Sequence, residues 1–204
     1  MAGGKVDLSS VLFTINKFVR KLPKEQFRNY NQHKYPMESP LAVANYFITK
    51  SLETGQLLTN MKLVKLVYLA HGWHLGLTNQ PLISEGTEAW KYGPVVPSVY
   101  DNFKFYRGNP ITQLAHTVTP TGQISYFPLS DPKLTEFLDR IWDVYNSYSA
   151  VELSALTHQE NSPWYETWHQ NGGKEKYGVV IPNERIEKHY KKIAESNLKA
   201  HAAA

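Results

Sequence analysis

Through much of this 204-residue chain, apolar residues recur at i, i+3 and i+4, the period of amphipathic helices. Val11, Ile15, Phe18 and Val19 mark one face of a helix over residues 7–22, capped by Asp7 or Ser9 and stopped by Pro23. Ser39 and Pro40 form an N-cap and first-turn pair for a second helix through Glu53, with Gly55 closing it and Leu41, Ala44, Tyr46, Phe47 and Ile48 on its buried side. A third helix starts at Thr59 and ends near Thr78-Asn79. Residues 80–96 hold too many turn formers for a helix and read as a short hairpin or a structured loop. Pro97 to Tyr106 is helical again, stopped by Gly108 and Pro110. Residues 110–130 alternate polar and apolar positions around Thr121-Gly122, as a hairpin does.

Asp131-Pro132 open a helix to about Tyr145, with Leu134, Phe137, Leu138, Ile141, Trp142 and Tyr145 at helical spacing. Ser149 and Glu152 have the spacing of a capping box for a helix through His158. Ser162-Pro163 start another that ends at Gly172-Gly173. After an extended "YGVVIP", Asn183 to Leu198 forms a last amphipathic helix on Ile186, Tyr190 and Ile193. No internal repeat interrupts this order. The class is mainly α: a single compact helical domain over residues 37–198 with one or two small β-hairpins, preceded by an N-terminal helical extension over 1–36 and followed by a frayed tail over 199–204.

The third helix, "MKLVKLVYLAHGWHL", is apolar in nearly every direction, so it is central to the fold. His71 and His74 fall within about 60° of each other on a wheel of about 100° per residue. They are either a metal or catalytic pair or hydrogen-bonded parts of a core. A metal wants three or four ligands, and no Asp or Glu lies between Thr59 and Gln80, so Glu85, Glu88 or His158 would have to complete a site. The balance goes to the core. On the opposite side Lys62, Lys65, Gly72 and Gly76 cluster. Each glycine costs a helix about 1 kcal/mol relative to alanine, which points to close approach by a neighbouring segment.

Composition narrows the classes. Cysteine is absent, which excludes disulfides, thiolate zinc sites and cysteine nucleophiles. Neither a signal-peptide pattern nor an apolar run of about 20 residues is present, so the expected location is cytoplasmic, without a membrane partner. The net charge of +4 is uneven. Residues 1–36 hold seven cations against two acids, and the remainder is nearly neutral. Lys17, Arg20, Lys21, Lys24 and Arg28 form either a stripe able to meet phosphate, operator DNA included, or a solvated helix face. Phosphate loops, nucleophile elbows, metalloprotease His pairs and clustered carboxylates are missing, and no cofactor is implied. Ser149 and Ser154 near His158 hint at a hydrolase, but Ser149 is already a helix cap. The chain reads as a binding protein and not an enzyme.

Aromatic residues make up 13% of the chain. In "EAWKYGPVVPSVY", Trp90, Tyr92 and Tyr100 flank Gly93-Pro94 and Pro97, giving a rigid aromatic turn. Such a turn is either an interface anchor or part of the core, and Trp164 and Trp168 in "NSPWYETWHQ" carry the same two readings. The candidate partner-binding residues are Trp90, Tyr92, Pro94, Val95, Pro97 and Tyr100, joined by Lys17, Arg20, Lys21 and Arg28.

Taken in order, "LTNMKLVKLVYLAHGWHL", "EAWKYGPVVPSVY" and "YSAVELSALTHQENSPW" resemble the Panacea-domain proteins, the SocA-like and GepA-like group of bacterial and prophage antitoxins. The matching positions include Thr59, Lys62, Lys65, Tyr68, His71 and Gly72, then Glu88 to Trp90 and Tyr92 to Pro94, and finally Ser154, His158, Pro163 and Trp164. The resemblance spans about residues 41–194 and leaves 1–36 outside. It implies a mostly helical domain that neutralises a co-encoded toxin by direct binding, or else an adaptor that delivers the toxin to an ATP-dependent protease. It carries no catalytic residues, and Thr59, Lys62, Tyr68, His71, Gly72, His158 and Trp164 are expected to preserve the scaffold. The terminal "KAHAAA" resembles Ala-ending degradation tags or is a simple helix end.

Overall fold

Helices α1 (Pro40–Thr54) and α2 (Asn60–Thr78) begin and end where their flanking residues direct. Thr59 is extended and its hydroxyl accepts the Lys62 amide, while Gly55 and Asn79 close the two helices in the left-handed conformation. Ser39 makes no side-chain capping bond, so Pro40 alone marks the start of α1. This computed structural model describes residues 36–202, with side chains for 36–196. The helix expected over 7–22 and the residues Lys17, Arg20, Lys21 and Arg28 lie outside the described residues.

The segment after α2 is a hairpin. Strands β1 (Thr87–Trp90) and β2 (Gly93–Val95) pair antiparallel with Trp90 opposite Gly93. Helix α3 (Pro97–Phe103) tightens into a 3-10 turn over Lys104–Tyr106 instead of continuing as α-helix. Strands β3 (His116–Val118) and β4 (Ile124–Tyr126) form the second hairpin, whose six residues are all exposed. Helix α4 (Leu134–Tyr145) starts later than the Asp131-Pro132 expected for it. The Asp131 carboxylate accepts the Lys133 amide and the chain turns there first. Buried Glu38 receives the Ser130 and Asp131 amides on its carboxylate at 2.8 and 3.0 Å, pinning the entry to that turn.

Helix α5 (Ala150–Thr157) carries both halves of the predicted capping box, and α6 (Pro163–Gln170) is capped by the Ser162 hydroxyl. Strand β5 (Val180–Ile181) is the expected extended piece, and it joins the first hairpin as a third strand, in the order β2-β1-β5. Helix α7 (Asn183–Ala202) closes the described chain.

Every residue of α2 except Met61 is buried, and α1, α3, α4, α5, α7 and β2 all pack against it. The closest approach is to α7. A Cβ at Gly72 would fall 2.2 Å from the Tyr190 ring, and one at Gly76 would fall 2.8 Å from the Lys191 backbone nitrogen. Both glycines therefore exist for this crossing. Tyr190 fills the space they leave, edge-on to Trp73 at 5.2 Å and to Tyr68 at 6.3 Å, with a hydrogen bond between the Tyr68 and Tyr190 hydroxyls.

His71 and His74 are core residues. The Leu82 amide donates to His71 Nδ1 at 3.3 Å, which leaves Nε2–H to donate to Asn183 Oδ1 at 3.0 Å. His74 Nδ1–H donates to the Gln80 carbonyl at 2.7 Å. Together they tie α2 to the loop that follows it and to the start of α7. Burial keeps both rings neutral, pushing each down to about 4.

Gly72→Ala and Gly76→Ala are each expected to destabilise the protein by about 1–3 kcal/mol through overpacking. That loss exceeds the ~1 kcal/mol that alanine gains in a helix. Urea midpoints of the full chain measure it. The histidines set an acid limit. Above pH 6.5 they are neutral in both states; below it the unfolded chain takes up protons that the folded chain refuses until about pH 4. Stability should fall over that window by up to about 3 kcal/mol per histidine, and less in His71→Gln, by urea unfolding at pH 7, 5.5 and 4.5.

Candidate functional site

The β1–β2 turn is gripped through its main chain. Trp164 Nε1–H donates to the Trp90 carbonyl at 2.8 Å, the Ser154 hydroxyl to the Tyr92 carbonyl at 3.1 Å and the Lys65 ammonium to the Pro94 carbonyl at 2.9 Å. The His158 ring, whose Nδ1–H donates to the Ser154 carbonyl, lies tilted against Trp164 with the ring centres 3.8 Å apart. These clamps come from α2, α5 and α6, with His158, the residue that ends α5, beside them. Gly93, at φ 103°, lies against them, and a Cβ there would be 2.8 Å from Lys65 Nζ and 3.0 Å from His158. Only glycine meets both the backbone and the space requirement.

Lys65 is 2% exposed, and burial pushes its ammonium down to about 7. Lys62 reaches to the other side of the core. Its ammonium donates to the Asn146 carbonyl at the C-terminal end of α4, where a cation suits the helix dipole. Burial lowers the pKa of Lys62 and of His158 as well.

The turn presents aromatic surface beyond the clamps. Tyr92 is 68% exposed at its tip, with the Lys91 ammonium 5.5 Å from the ring centre. Trp90 is half-buried, its ring 4.9 Å from Tyr100 and 5.2 Å from Tyr177, and its Nε1–H donates to Glu88 at 2.7 Å. Pro94 and Val95 are buried and offer a partner little surface; Pro94 contributes its carbonyl to Lys65 and Val95 a wall to the cleft described next. Pro97 is half-buried at the start of α3. Of the predicted partner-binding residues within the described chain, Trp90, Tyr92 and Tyr100 are thus brought together on one accessible face.

That face opens into a cleft of about 600 Å³ between the first turns of α2, the hairpin, α3 and the 173–177 loop. Trp90, Tyr100, Trp168 and Tyr177 line it, with Asn60 and Lys65 on the wall that α2 supplies. Lys91, Lys104, Arg107, Lys174 and Lys176 stand around it against Glu175. Lys104 is shared with Asp101 at 2.8 Å. A volume of this size, aromatic inside with charged groups at its edge, has the character of a binding site.

Sequence reasoning missed the cation rim and Tyr177. Lys104 belongs to the helix expected over Pro97 to Tyr106, Tyr177 opens the extended "YGVVIP", Arg107, Lys174 and Lys176 fall between expected elements, and nothing in the linear pattern unites them. The metal alternative gains nothing from the geometry. Glu85 accepts the Ser98 amide, Glu88 the Trp90 indole, and among the described residues no group of three or more His, Asp or Glu is gathered as a metal would require. Among them too, no helix is long and apolar enough to cross a membrane.

Trp164→Phe keeps an aromatic ring against His158 and deletes the donor to the Trp90 carbonyl. Hydrogen exchange of peptides covering residues 86–96 should speed up, with a stability loss of about 1 kcal/mol. The family described as Antitoxin SocA-like, Panacea domain, matches residues 63–165, the stretch from α2 through the clamp residue Trp164. Antitoxin SocA of Caulobacter vibrioides is 33% identical over 125 residues, covering 60% of this chain and 66% of its own length. No solved structure matches the chain. Lys65, Gly93, Ser154, His158 and Trp164, the residues that build and hold the turn, all lie inside the matched stretch, and the chain belongs to the SocA-like Panacea-domain family of antitoxins.

Proposed function

We propose that this protein is an antitoxin that neutralises a co-encoded toxin by binding it directly, and that the clamped aromatic turn is a principal contact. Membership of an antitoxin family supports the antitoxin role. The observation that carries the contact is the grip on the Trp90, Tyr92 and Pro94 carbonyls, which holds an exposed Tyr92 on a fixed main chain. A rigid aromatic loses little entropy on binding, so more of its burial appears as affinity. The basic segment 1–36 adds a second contact by charge. Its seven cations against two acids suit an anionic surface on the toxin, and long-range attraction of that kind mainly speeds encounter.

Co-expression with the adjacent open reading frame tests this. The neighbour should arrest growth alone and be silenced by this protein with its own half-life unchanged, and the two should co-purify. A neighbour that is harmless alone, or toxic in the presence of this protein, sinks the proposal, and a shortened toxin half-life converts it into proteolytic delivery. Tyr92→Ala should weaken the complex by roughly tenfold or more while leaving thermal unfolding unchanged.

A further inference from the structure

We infer that the cleft beside the turn seats an acidic segment of the partner protein that carries an aromatic or aliphatic anchor. The inference rests on the direct-binding reading and names the chemistry of the partner at that site. Three observations support it. The interior is aromatic, built from Trp90, Tyr100, Trp168 and Tyr177, and Tyr177 is 83% exposed at its edge, so an apolar side chain entering it gains ring contacts. The cations come from separate segments: Lys91 from the hairpin, Lys104 and Arg107 from the turn after α3, Lys174 and Lys176 from the loop before β5. Such a distribution complements carboxylates spread along a polypeptide. A compact phosphate would need its donors converging on one point.

The third observation is Asn60. Its Nδ2 donates to the Tyr100 carbonyl at 3.3 Å, and its buried Oδ1 has no partner among the described residues. A buried acceptor of this kind asks for a donor. A peptide has backbone N–H groups to offer, whereas a phosphate presents mainly acceptor oxygens. The N-terminal segment of this chain is a poor occupant, because seven cations against two acids would meet a basic rim. The exposed β3–β4 hairpin, with Val118 and Ile124 outward, is the rival apolar surface, but no charge pattern accompanies it.

The experiment uses the full chain co-purified with the protein from the adjacent open reading frame. A photo-crosslinking benzoylphenylalanine replaces Tyr177 in one variant and Ile124 in another, and the linked peptides are mapped by mass spectrometry. The expected result is a link from position 177 to a partner segment of net negative charge. Lys174→Glu combined with Lys176→Glu should weaken the complex at least tenfold, and exchanging two acids of the mapped segment for lysine should restore it. An intact complex linked only through position 124, linked through 177 to a neutral or basic segment or to a second copy of this chain, or indifferent to the charge reversal, overturns the inference alone. Failure to co-purify at all overturns the direct-binding reading, and this inference with it.

Discussion

Helix α2 buries every residue but Met61, and that constraint organises the rest of the molecule. Beyond its first turn, where Asn60 and Met61 border the cleft, the helix is buried on every side, and its polar groups are satisfied by other parts of the protein. Its partners are drawn from separate elements. His71 takes Asn183 from α7 and the Leu82 amide, His74 takes the Gln80 carbonyl, Lys62 the end of α4, and Lys65 the hairpin. Where α2 has no side chain, at Gly72 and Gly76, Tyr190 occupies the gap. Each of these contacts fixes the position of a different neighbour against one common axis.

The hairpin illustrates what that arrangement delivers. Two short strands joined by two residues would be marginal alone. Here β5 adds a third strand, and donors from α2, α5 and α6 hold the main chain from outside. The cost lies with Lys65. An ammonium placed in a nearly dry site is pushed down to about 7, so the hydrogen bond to Pro94 is made against a desolvation penalty. A neutral donor such as the Trp164 indole makes the same kind of bond without that penalty.

Most of the scaffold was legible in the sequence because its signals are local. The Thr59 cap, the Ser149–Glu152 box, Gly55 and the spacing from Leu134 to Tyr145 each act within a few residues. The close crossing at Gly72 and Gly76 was readable too, since a helix accepts two such costly residues only for a reason. What stayed hidden depends on distant pairs. Glu38 sits 92 residues from the Ser130 amide it receives, and Ser154 sits 62 residues from the Tyr92 carbonyl it holds. No periodicity encodes such meetings. The aromatic turn was visible as a turn, yet the burial of Pro94 and Val95 and the exposure of Tyr92 follow from what packs behind it. The rim of cations is likewise an outcome of folding, assembled from three segments that look unrelated in line.

The grip on the turn has one more consequence. The donors of Lys65, Ser154 and Trp164 address carbonyl oxygens, atoms that every amino acid possesses. Apart from Gly93, the clamp therefore places almost no demand on which side chains the loop displays. Lys91, whose carbonyl lies beside the clamps, can change identity while the main chain beneath it stays where it is. The atoms that are held and the side chains that are displayed are different, so the exposed surface of the turn can be altered without loosening its main chain.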